Sequence, residues 1–181
     1  MKSALLIIDV QSVLFDPEPR PFEINEVIER INVLSRWTRS KHQPVIYIQH
    51  EQANSAIEFA SDGWQLQAGL KTQTNDYFIR KTTPDSFLNT DLGDLLKSLQ
   101  VEHLIVCGYA SEFCVDTTIR RAASLGYSVE LVADAHTTHD KPHASAETIR
   151  LHHNCTLPNI TSFGVKIAAV NTAALIAQAA E

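Results

Sequence analysis

The chain has 181 residues, 44% of them hydrophobic, which is enough for a single domain over residues 1–181 with one hydrophobic core. A formal net charge of −6 and the scattered basic residues argue against a nucleic-acid-binding protein. No apolar stretch reaches the length of a membrane span, and the N-terminal apolar run is too short for a signal peptide. The three cysteines lack a paired framework, so we expect reduced thiols and a cytoplasmic protein.

Apolar runs alternate along the chain with segments of helical length. Short runs rich in β-branched residues or leucine predict strands at residues 4–10, 45–49, 101–108 and 127–133, with weaker candidates at 77–80 and 159–163. Apolar residues at helical spacing predict helices at residues 23–40, 90–100, 112–125, 143–154 and 165–180. This order predicts an α/β fold, a doubly wound and mainly parallel sheet flanked by helices on both faces. Residues 50–76 fit neither period and are predicted to form a long loop.

Reactive side chains follow several predicted strands, at the edge where such folds bind their ligands. Asp9 closes the first strand, Lys81 follows the run at 77–80, and Cys114 lies one helical turn past the third long strand. His136 comes just after the strand at 127–133 and is a candidate for contact with substrate. An acid, an ammonium and a thiol are therefore predicted to meet at one edge of the sheet. A loop-capping role would also explain an aspartate at position 9, although a buried carboxylate there would need a cationic or hydrogen-bonding partner.

The three cysteines differ in their surroundings. Cys107 sits inside an apolar run, where cysteine behaves as a small hydrophobic residue. Cys114 falls in the first turn of a predicted helix with Ser111 as a candidate N-cap, and both the helix dipole and a nearby lysine would lower its pKa. Cys155 has no activating neighbour in the sequence. Cys114 is therefore the predicted nucleophile.

Five segments of the chain match one known family in order. They read LLIIDVQ, VIYIQHE, RKTTPDSF, VCGYASEFCVDTTIRRAASLGYSVELVADA and HHN, from Leu5 to about Thr161. With these motifs the chain resembles the isochorismatase-like cysteine hydrolases, a superfamily that includes nicotinamidases, N-carbamoylsarcosine amidases and isochorismatases. The segment Gly-x-Ala-Ser-x-x-Cys-Val, together with an upstream Asp-x-Gln, is fairly specific for it.

The resemblance implies a catalytic triad and the groups around it. The triad would be Asp9, Lys81 and Cys114, with a cis peptide between Tyr109 and Ala110. The backbone amides of Ala110 and Cys114 would form the oxyanion hole. Candidate substrate-binding residues are Gln11 and Tyr109, by the same resemblance, and Trp64, Phe87 and His136 from the sequence itself, where Phe87 could equally belong to the core and Trp64 to an interface.

Two departures from the family pattern bear on the chemistry. Nicotinamidases of the family hold a metal with an Asp-x-His after the second strand, whereas this chain has Gln49-His50 there and no second histidine until His103. We therefore predict neither a catalytic metal nor another cofactor. Isochorismatases proper hydrolyse a vinyl ether and commonly lack the cysteine, so the presence of Cys114 favours acyl transfer.

A zinc site among the later histidines is the other metal possibility. The candidates are His136, His139, His143, His152 and His153. Their spacing is not that of a closed structural zinc site, and a solvated loop and a helix boundary explain them more simply.

These observations predict a hydrolase that cleaves a C–N bond, of the amide or carbamoyl type, in a small molecule through an acyl-enzyme at Cys114. Hydrolysis of a vinyl ether with Cys114 as a bystander is one alternative. A non-catalytic ligand-binding or assembly member of the family is another. The family resemblance also implies a homo-oligomer, a dimer or larger, for which the loop at residues 49–74 is the candidate partner contact.

Overall fold

The computed structural model describes residues 2–178. Within them, six parallel strands form one sheet in the order β3-β2-β1-β4-β5-β6. The strands are β1 (Ser3–Ile8), β2 (Val45–His50), β3 (Tyr77–Lys81), β4 (His103–Tyr109), β5 (Ser128–Thr137) and β6 (Ile167–Val170). The strand order runs outward in opposite directions from β1 and β4. The gap between these two strands is thus the topological switch point, where a doubly wound sheet leaves a crevice for ligands.

The helices cover both faces of the sheet. They are α1 (Ser12–Phe15), α2 (Ile24–Ser40), α3 (Leu92–Ser98), α4 (Asp116–Ser124), α5 (Ala146–Thr156) and α6 (Thr172–Gln178). α2 and α6 contribute to the hydrophobic core on one face, and α3 and α4 to the core on the other. None of these helices within residues 2–178 is long and apolar enough to cross a membrane. The predicted three-layer α/β fold is confirmed.

The central strand β1 shows why the sheet sits between two cores. Leu5 and Ile7 pack in one core while Leu6 and Ile8 pack in the other, because successive side chains of a strand point to opposite faces. All four are buried, as expected for a parallel strand covered by helices on both sides. The uninterrupted apolar run that predicted this strand is the sequence signature of that double burial.

The C-terminal part of the prediction is wrong. Residues 165–180 were expected to form one helix, but the structure has the edge strand β6 followed by α6. β6 pairs with β5 from Val129↔Ile167 onward, and this backbone pairing outweighs the helical preference of its alanines. The weak strand candidate at 159–163 is also wrong, since it lies just before β6 and starts within the 3₁₀ turn Leu157–Asn159. The last two residues of the predicted helix, 179 and 180, lie outside the described range.

Two local features near the sheet edge were not predicted. The chain forms the short helix α1 directly after β1, and the predicted helix at 112–125 begins as a π turn, Ser111–Val115, before continuing as α4. The long segment at residues 51–76 is a loop, as predicted. An isolated antiparallel bridge between Gln11 and Leu66 joins this loop to the end of β1. The loop therefore lies against the carboxyl edge of the sheet.

Candidate active site

The topological switch point brings the three predicted catalytic side chains together. Asp9 follows β1, Cys114 lies in the π turn that follows β4, and Lys81 is the last residue of β3. β3 is separated from β1 by β2, so the long side chain of Lys81 reaches across to Asp9. The site is thus built by the carboxyl ends of three strands and not by a local sequence motif.

Asp9 turns the chain at the end of β1 and points its carboxylate into the protein. Its φ of 51° lies in the left-handed region, which aspartate tolerates better than most residues. Its Oδ2 lies 2.7 Å from Lys81 Nζ, and the two side chains are 2% and 0% exposed. Its Oδ1 is buried without a hydrogen-bond partner among the described residues. The pair therefore meets the need of a buried carboxylate for a cation, and one carboxylate oxygen remains available for a proton.

The Lys81 ammonium is surrounded by acceptors. Its Nζ lies 2.7 Å from Asp9 Oδ2, 3.0 Å from His50 Nδ1, 3.2 Å from the Thr83 carbonyl oxygen and 3.2 Å from Cys114 Sγ. An ammonium has three protons and no lone pair, so these four acceptors share three donors. His50 must accept at Nδ1, which places its ring proton on Nε2. Burial, and next the charge of Lys81, lower the pKa of His50.

The contact between Lys81 and His50 is the part of the site that the sequence analysis missed. Its signal was present, since His50 and Lys81 directly follow the predicted strands at 45–49 and 77–80, and the structure pairs the two residues directly. Whether two such residues of neighbouring parallel strands face the same side of the sheet depends, however, on the register of the pair. The register is set by backbone hydrogen bonds that the sequence does not display.

The π turn Ser111–Val115 presents Cys114 at the end of β4. The Ala110 carbonyl accepts from the amides of Phe113, at 3.0 Å, and Val115, at 3.2 Å. In an α-helix the Cys114 amide would donate to that carbonyl, and the π turn gives the bond to Val115 instead. The peptide between Tyr109 and Ala110 is cis, as the family resemblance implied.

The electrostatics of Cys114 differ from the expectation. Burial, and next the Asp9 carboxylate, raise the pKa of the thiol to about 12, although Lys81 opposes them. The predicted lowering by the helix start is thus outweighed, because the half-buried sulfur loses part of its hydration and lies near the Asp9 carboxylate. The predicted N-cap is also wrong: Ala110 caps the π turn, and the Ser111 hydroxyl contacts His136 instead.

The other two cysteines lie where the sequence suggested. Cys107 is fully buried in the core, and burial raises the pKa of its thiol. Cys155 is exposed. Cys114 is therefore the thiol that lies within hydrogen-bonding distance of the Lys81 ammonium.

One group of potential metal ligands exists within residues 2–178, namely Asp9, His50 and Cys114, whose ligand atoms lie within 4.8 Å of one another. The predicted histidines from residue 136 onward form no such group in that range. Lys81 contacts all three residues, so its ammonium already supplies the positive charge that these side chains would offer to a metal. The residues therefore fit a lysine better than a metal ion, and a metal-free site stays our prediction.

Two predicted substrate-binding residues are buried in other roles. Gln11 is 0% exposed: its side-chain nitrogen donates to the carbonyls of His50 and Trp64, both at 2.9 Å, and its oxygen accepts from the His50 amide at 2.8 Å. His136 is also 0% exposed, with both ring nitrogens hydrogen-bonded inside the protein. Neither side chain has surface to offer here, and the contacts of Gln11 and His136 with substrate stay predictions.

The three aromatic candidates differ in position. Phe87 packs in the core on Tyr127, with ring centroids 5.9 Å apart, which leaves little of it for a substrate. Tyr109 is half-buried next to the π turn, and its hydroxyl lies 2.8 Å from His139 Nδ1. Burial raises the pKa of Tyr109 to about 12, so the phenol keeps its proton at neutral pH. Trp64 is half-buried in the loop beside Gln11 and stays a candidate, as does Tyr109.

Comparison with known proteins agrees with this architecture. The isochorismatase domain model matches residues 3–161. A streptothricin hydrolase of Streptomyces noursei is 36% identical over 142 residues, which cover 78% of this chain and 51% of that protein. A ureidoacrylate amidohydrolase of Variovorax paradoxus is 31% identical over 106 residues, which cover 58% of this chain and 40% of that protein. This chain thus spans about half the length of these curated relatives or less.

Solved structures extend the match to nearly the whole fold. The crystal structure of an isochorismatase family protein superposes with a TM-score of 0.86 at 36% identity, covering 93% of this chain and 98% of that one. The range matched by the domain model, residues 3–161, contains all three side chains that meet at the switch point. By the domain match and this structural similarity, the chain belongs to the isochorismatase family.

Proposed function

We propose that the protein hydrolyses a C–N bond, of the amide or carbamoyl type, in a small molecule through a covalent intermediate on Cys114. The observation that carries this proposal is the position of the Lys81 ammonium, 2.7 Å from Asp9 Oδ2 and 3.2 Å from Cys114 Sγ in a water-poor site. A nucleophile, a base and a cation that stabilises both charged forms are thus within reach of one another.

In the first half of the proposed reaction, Cys114 attacks the carbonyl carbon of the substrate. The free Asp9 Oδ1 takes the thiol proton as the sulfur–carbon bond forms, and the amides of Ala110 and Cys114 donate to the developing oxyanion. The tetrahedral intermediate then collapses and its C–N bond breaks. Asp9 returns the proton to the leaving amine, so that it acts first as base and then as acid.

The second half of the reaction releases the acid. A water molecule attacks the thioester carbonyl and gives a proton to Asp9, and the same two amides hold the second oxyanion. The carbon–sulfur bond breaks and the proton returns to the sulfur. Lys81 keeps its charge throughout and balances the negative charge as it moves between Asp9 and Cys114.

The raised pKa of Cys114 assigns Asp9 a definite role in this scheme. With a pKa of about 12, the resting thiol is protonated at neutral pH. A preformed thiolate is then rare, so proton removal has to accompany the attack on the carbonyl. A base close to the sulfur is therefore essential rather than auxiliary, and a carboxylate oxygen of Asp9 lies within 4.8 Å of it.

The names of two relatives support amide chemistry. One is named an amidohydrolase and another a streptothricin hydrolase, and both are longer than this chain. We extend only the bond type to this protein. The proposal includes a small-molecule substrate, a cytoplasmic location and a homo-oligomeric state.

The direct test compares Cys114→Ala with Cys155→Ala as a matched control. We expect Cys114→Ala to abolish amine or ammonia release from a panel of small amides and N-carbamoyl compounds, with an unchanged circular dichroism spectrum. Cys155→Ala should keep full activity because Cys155 is exposed. Full turnover by Cys114→Ala would overturn the acyl-enzyme scheme and favour vinyl-ether hydrolysis, with Cys114 as a bystander. Wild-type protein that neither turns over the panel nor forms an acyl adduct with p-nitrophenyl acetate would favour a non-catalytic role.

A further inference from the structure

A chain of three hydrogen-bonded polar side chains, two fully buried and the third half-buried, links the π turn to helix α5. Ser111 Oγ lies 2.8 Å from His136 Nδ1, and His136 Nε2 lies 2.9 Å from Asn154 Oδ1. Asn154 Nδ2 in turn donates to the Ala133 carbonyl of β5 at 2.9 Å. Ser111 and His136 are both 0% exposed. The proposed mechanism uses none of these groups.

The hydrogen-bond directions in this chain are determined by its far end. Because Asn154 uses its nitrogen to donate to Ala133, its oxygen must be the group that faces His136, and it accepts from His136 Nε2–H. His136 Nδ1 is then unprotonated and accepts from the Ser111 hydroxyl. Each polar atom of the imidazole thus has one complementary partner.

The arrangement of serine, histidine and asparagine is that of a hydrolytic triad, but it is sealed. A serine nucleophile needs a face open to substrate, whereas Ser111 has no exposed surface. The hydrogen bond from Ser111, at the start of the π turn, to His136 indicates a structural role for the histidine. Ser111 directly follows Ala110 and lies three residues before Cys114.

We propose that His136 is a positioning residue for the reaction at Cys114. Through Ser111 it holds the π turn that carries the nucleophile and the two amides proposed to bind the oxyanion. This inference rests on the proposed function, because the position of an oxyanion amide matters only if an oxyanion forms. The amides must meet the oxyanion at hydrogen-bonding distance, so a small shift of the turn lowers the rate of acyl transfer.

The surroundings of His136 keep it in the neutral form that this role requires. Burial lowers its pKa to about 4, and the positive charges of Arg150 and His153 on α5 act in the same direction. The hydrogen bond to Asn154 and the charge of Asp134 oppose this effect and are outweighed. At neutral pH the acceptor for the Ser111 hydroxyl is therefore always present.

Two reagents separate positioning of the amides from reactivity of the thiol. p-Nitrophenyl acetate acylates a thiol through an oxyanion: the sulfur bonds to the acetyl carbon, p-nitrophenolate leaves, and the thiol proton passes to Asp9. Iodoacetamide alkylates the same sulfur by displacing iodide at a saturated carbon, and no oxyanion forms. The rate of each reaction at Cys114 is measured by peptide mass spectrometry in the Cys155→Ala background, which removes the exposed thiol.

We expect Ser111→Ala to lower the rate of acylation of Cys114 roughly 10- to 100-fold while alkylation changes less than about two-fold. Ser86→Ala is the matched control, because Ser86 is also 0% exposed and its hydroxyl is bonded to Thr118 Oγ1 at 2.8 Å. The control should leave both rates unchanged. The thermal unfolding midpoints of Ser86→Ala and Ser111→Ala are compared, so that the effect on stability of losing a buried hydroxyl is separated from the effect on the acylation rate.

Two substitutions of His136 provide the rescue test. His136→Asn keeps an acceptor at the position of Nδ1, whereas His136→Gln keeps a donor at the position of Nε2 and loses that acceptor. We therefore expect faster acylation by His136→Asn than by His136→Gln, whichever of the two is the more stable protein. Acylation rates that follow thermal stability instead would overturn the positioning role.

The other possible results also test the positioning role of His136. Wild-type acylation in Ser111→Ala, or equal losses of acylation and alkylation, would overturn the inference, since the turn would then not be selectively misplaced. If p-nitrophenyl acetate fails to acylate Cys114 in the wild-type background, the proposed function itself fails. That result appears before Ser111 or His136 is substituted, so the two failures are distinguishable.

Discussion

The side-chain nitrogen of Lys81 lies 3.2 Å from the sulfur of Cys114, although the two residues are 33 positions apart in the chain. The contact joins β3 to the turn after β4, across the switch point of the sheet. It exists because the carboxyl ends of parallel strands share an edge and a lysine side chain is long enough to cross β2. The catalytic proposal depends on this relationship.

Substituting Lys81 by methionine should damage both activity and stability. Activity should fall roughly 100- to 1,000-fold, since the charge next to the reacting sulfur is lost. The free energy of unfolding should fall by about 3–5 kcal/mol, because Asp9 remains buried without its cation. Enzyme assays and urea denaturation measure the two effects.

The double variant Asp9→Asn/Lys81→Met tests the coupling between the two charges. We expect it to recover part of the lost stability but none of the activity, because the unpaired charge is removed together with the base. Additive losses of stability would show that the pair is not coupled. Lys97→Met serves as the control, since its partner Asp94 is exposed and their ion pair should contribute nothing measurable.

Gln11→Ala should loosen the loop at residues 51–76. The substitution removes three side-chain hydrogen bonds to the backbone of His50 and Trp64, and we expect the free energy of unfolding to fall by about 2–3 kcal/mol. Limited digestion with chymotrypsin should cleave faster after Trp64. Gln52→Ala, in the same loop but exposed, should leave the digestion rate unchanged. An increased KM with normal stability and digestion would instead support a contact between Gln11 and substrate.

His136 should make folding sensitive to acid. Its pKa falls from 6.5 to about 4 in the folded protein, so the unfolded chain binds the proton more readily. The resulting stability is fully present above pH 6.5 and is lost as the pH falls through 4, and it amounts to about 3 kcal/mol. Urea denaturation between pH 7.5 and pH 4 measures it. The decrease should become smaller in His136→Asn but not in His42→Asn, where the histidine is exposed; equal decreases in all three proteins would contradict the assignment.

Gly108→Ala should prevent stable folding of the site. Gly108 has φ of +118°, and a Cβ there would collide with the Ile8 carbonyl oxygen of the neighbouring strand. We expect a loss of more than about 4 kcal/mol in the free energy of unfolding, since neither backbone can move without breaking the β1–β4 pairing. Gly93→Ala is the control in helix α3, where nothing lies within 4 Å of the added Cβ, and it should stabilise the protein slightly. Similar stabilities of the two variants would show that the close approach at Gly108 is relieved at little cost.

The layered α/β fold and the meeting of Asp9, Lys81 and Cys114 could be predicted from the sequence. Both follow from short-range signals, namely apolar runs of strand length and reactive residues placed directly after them. The same reasoning failed for residues 165–180, because β6 is only four residues long and owes its strand conformation to pairing with β5. An alanine-rich edge strand has no periodicity of its own that would distinguish it from a helix.

The roles of Gln11, His136 and the Cys114 thiol were decided by the tertiary structure. Gln11 was expected to contact substrate from the family resemblance and His136 from its position after a strand, yet each side chain is hydrogen-bonded to partners that lie far away in the chain. The pKa of Cys114 depends on burial and on the nearby carboxylate of Asp9, which a local helix-dipole argument does not contain. The sequence by itself determined which residues reach the edge of the sheet, since strand ends are local. Only the packing of distant segments determined which of these residues face substrate, which are buried and which are charged. Burial and hydrogen bonding are properties of the folded chain.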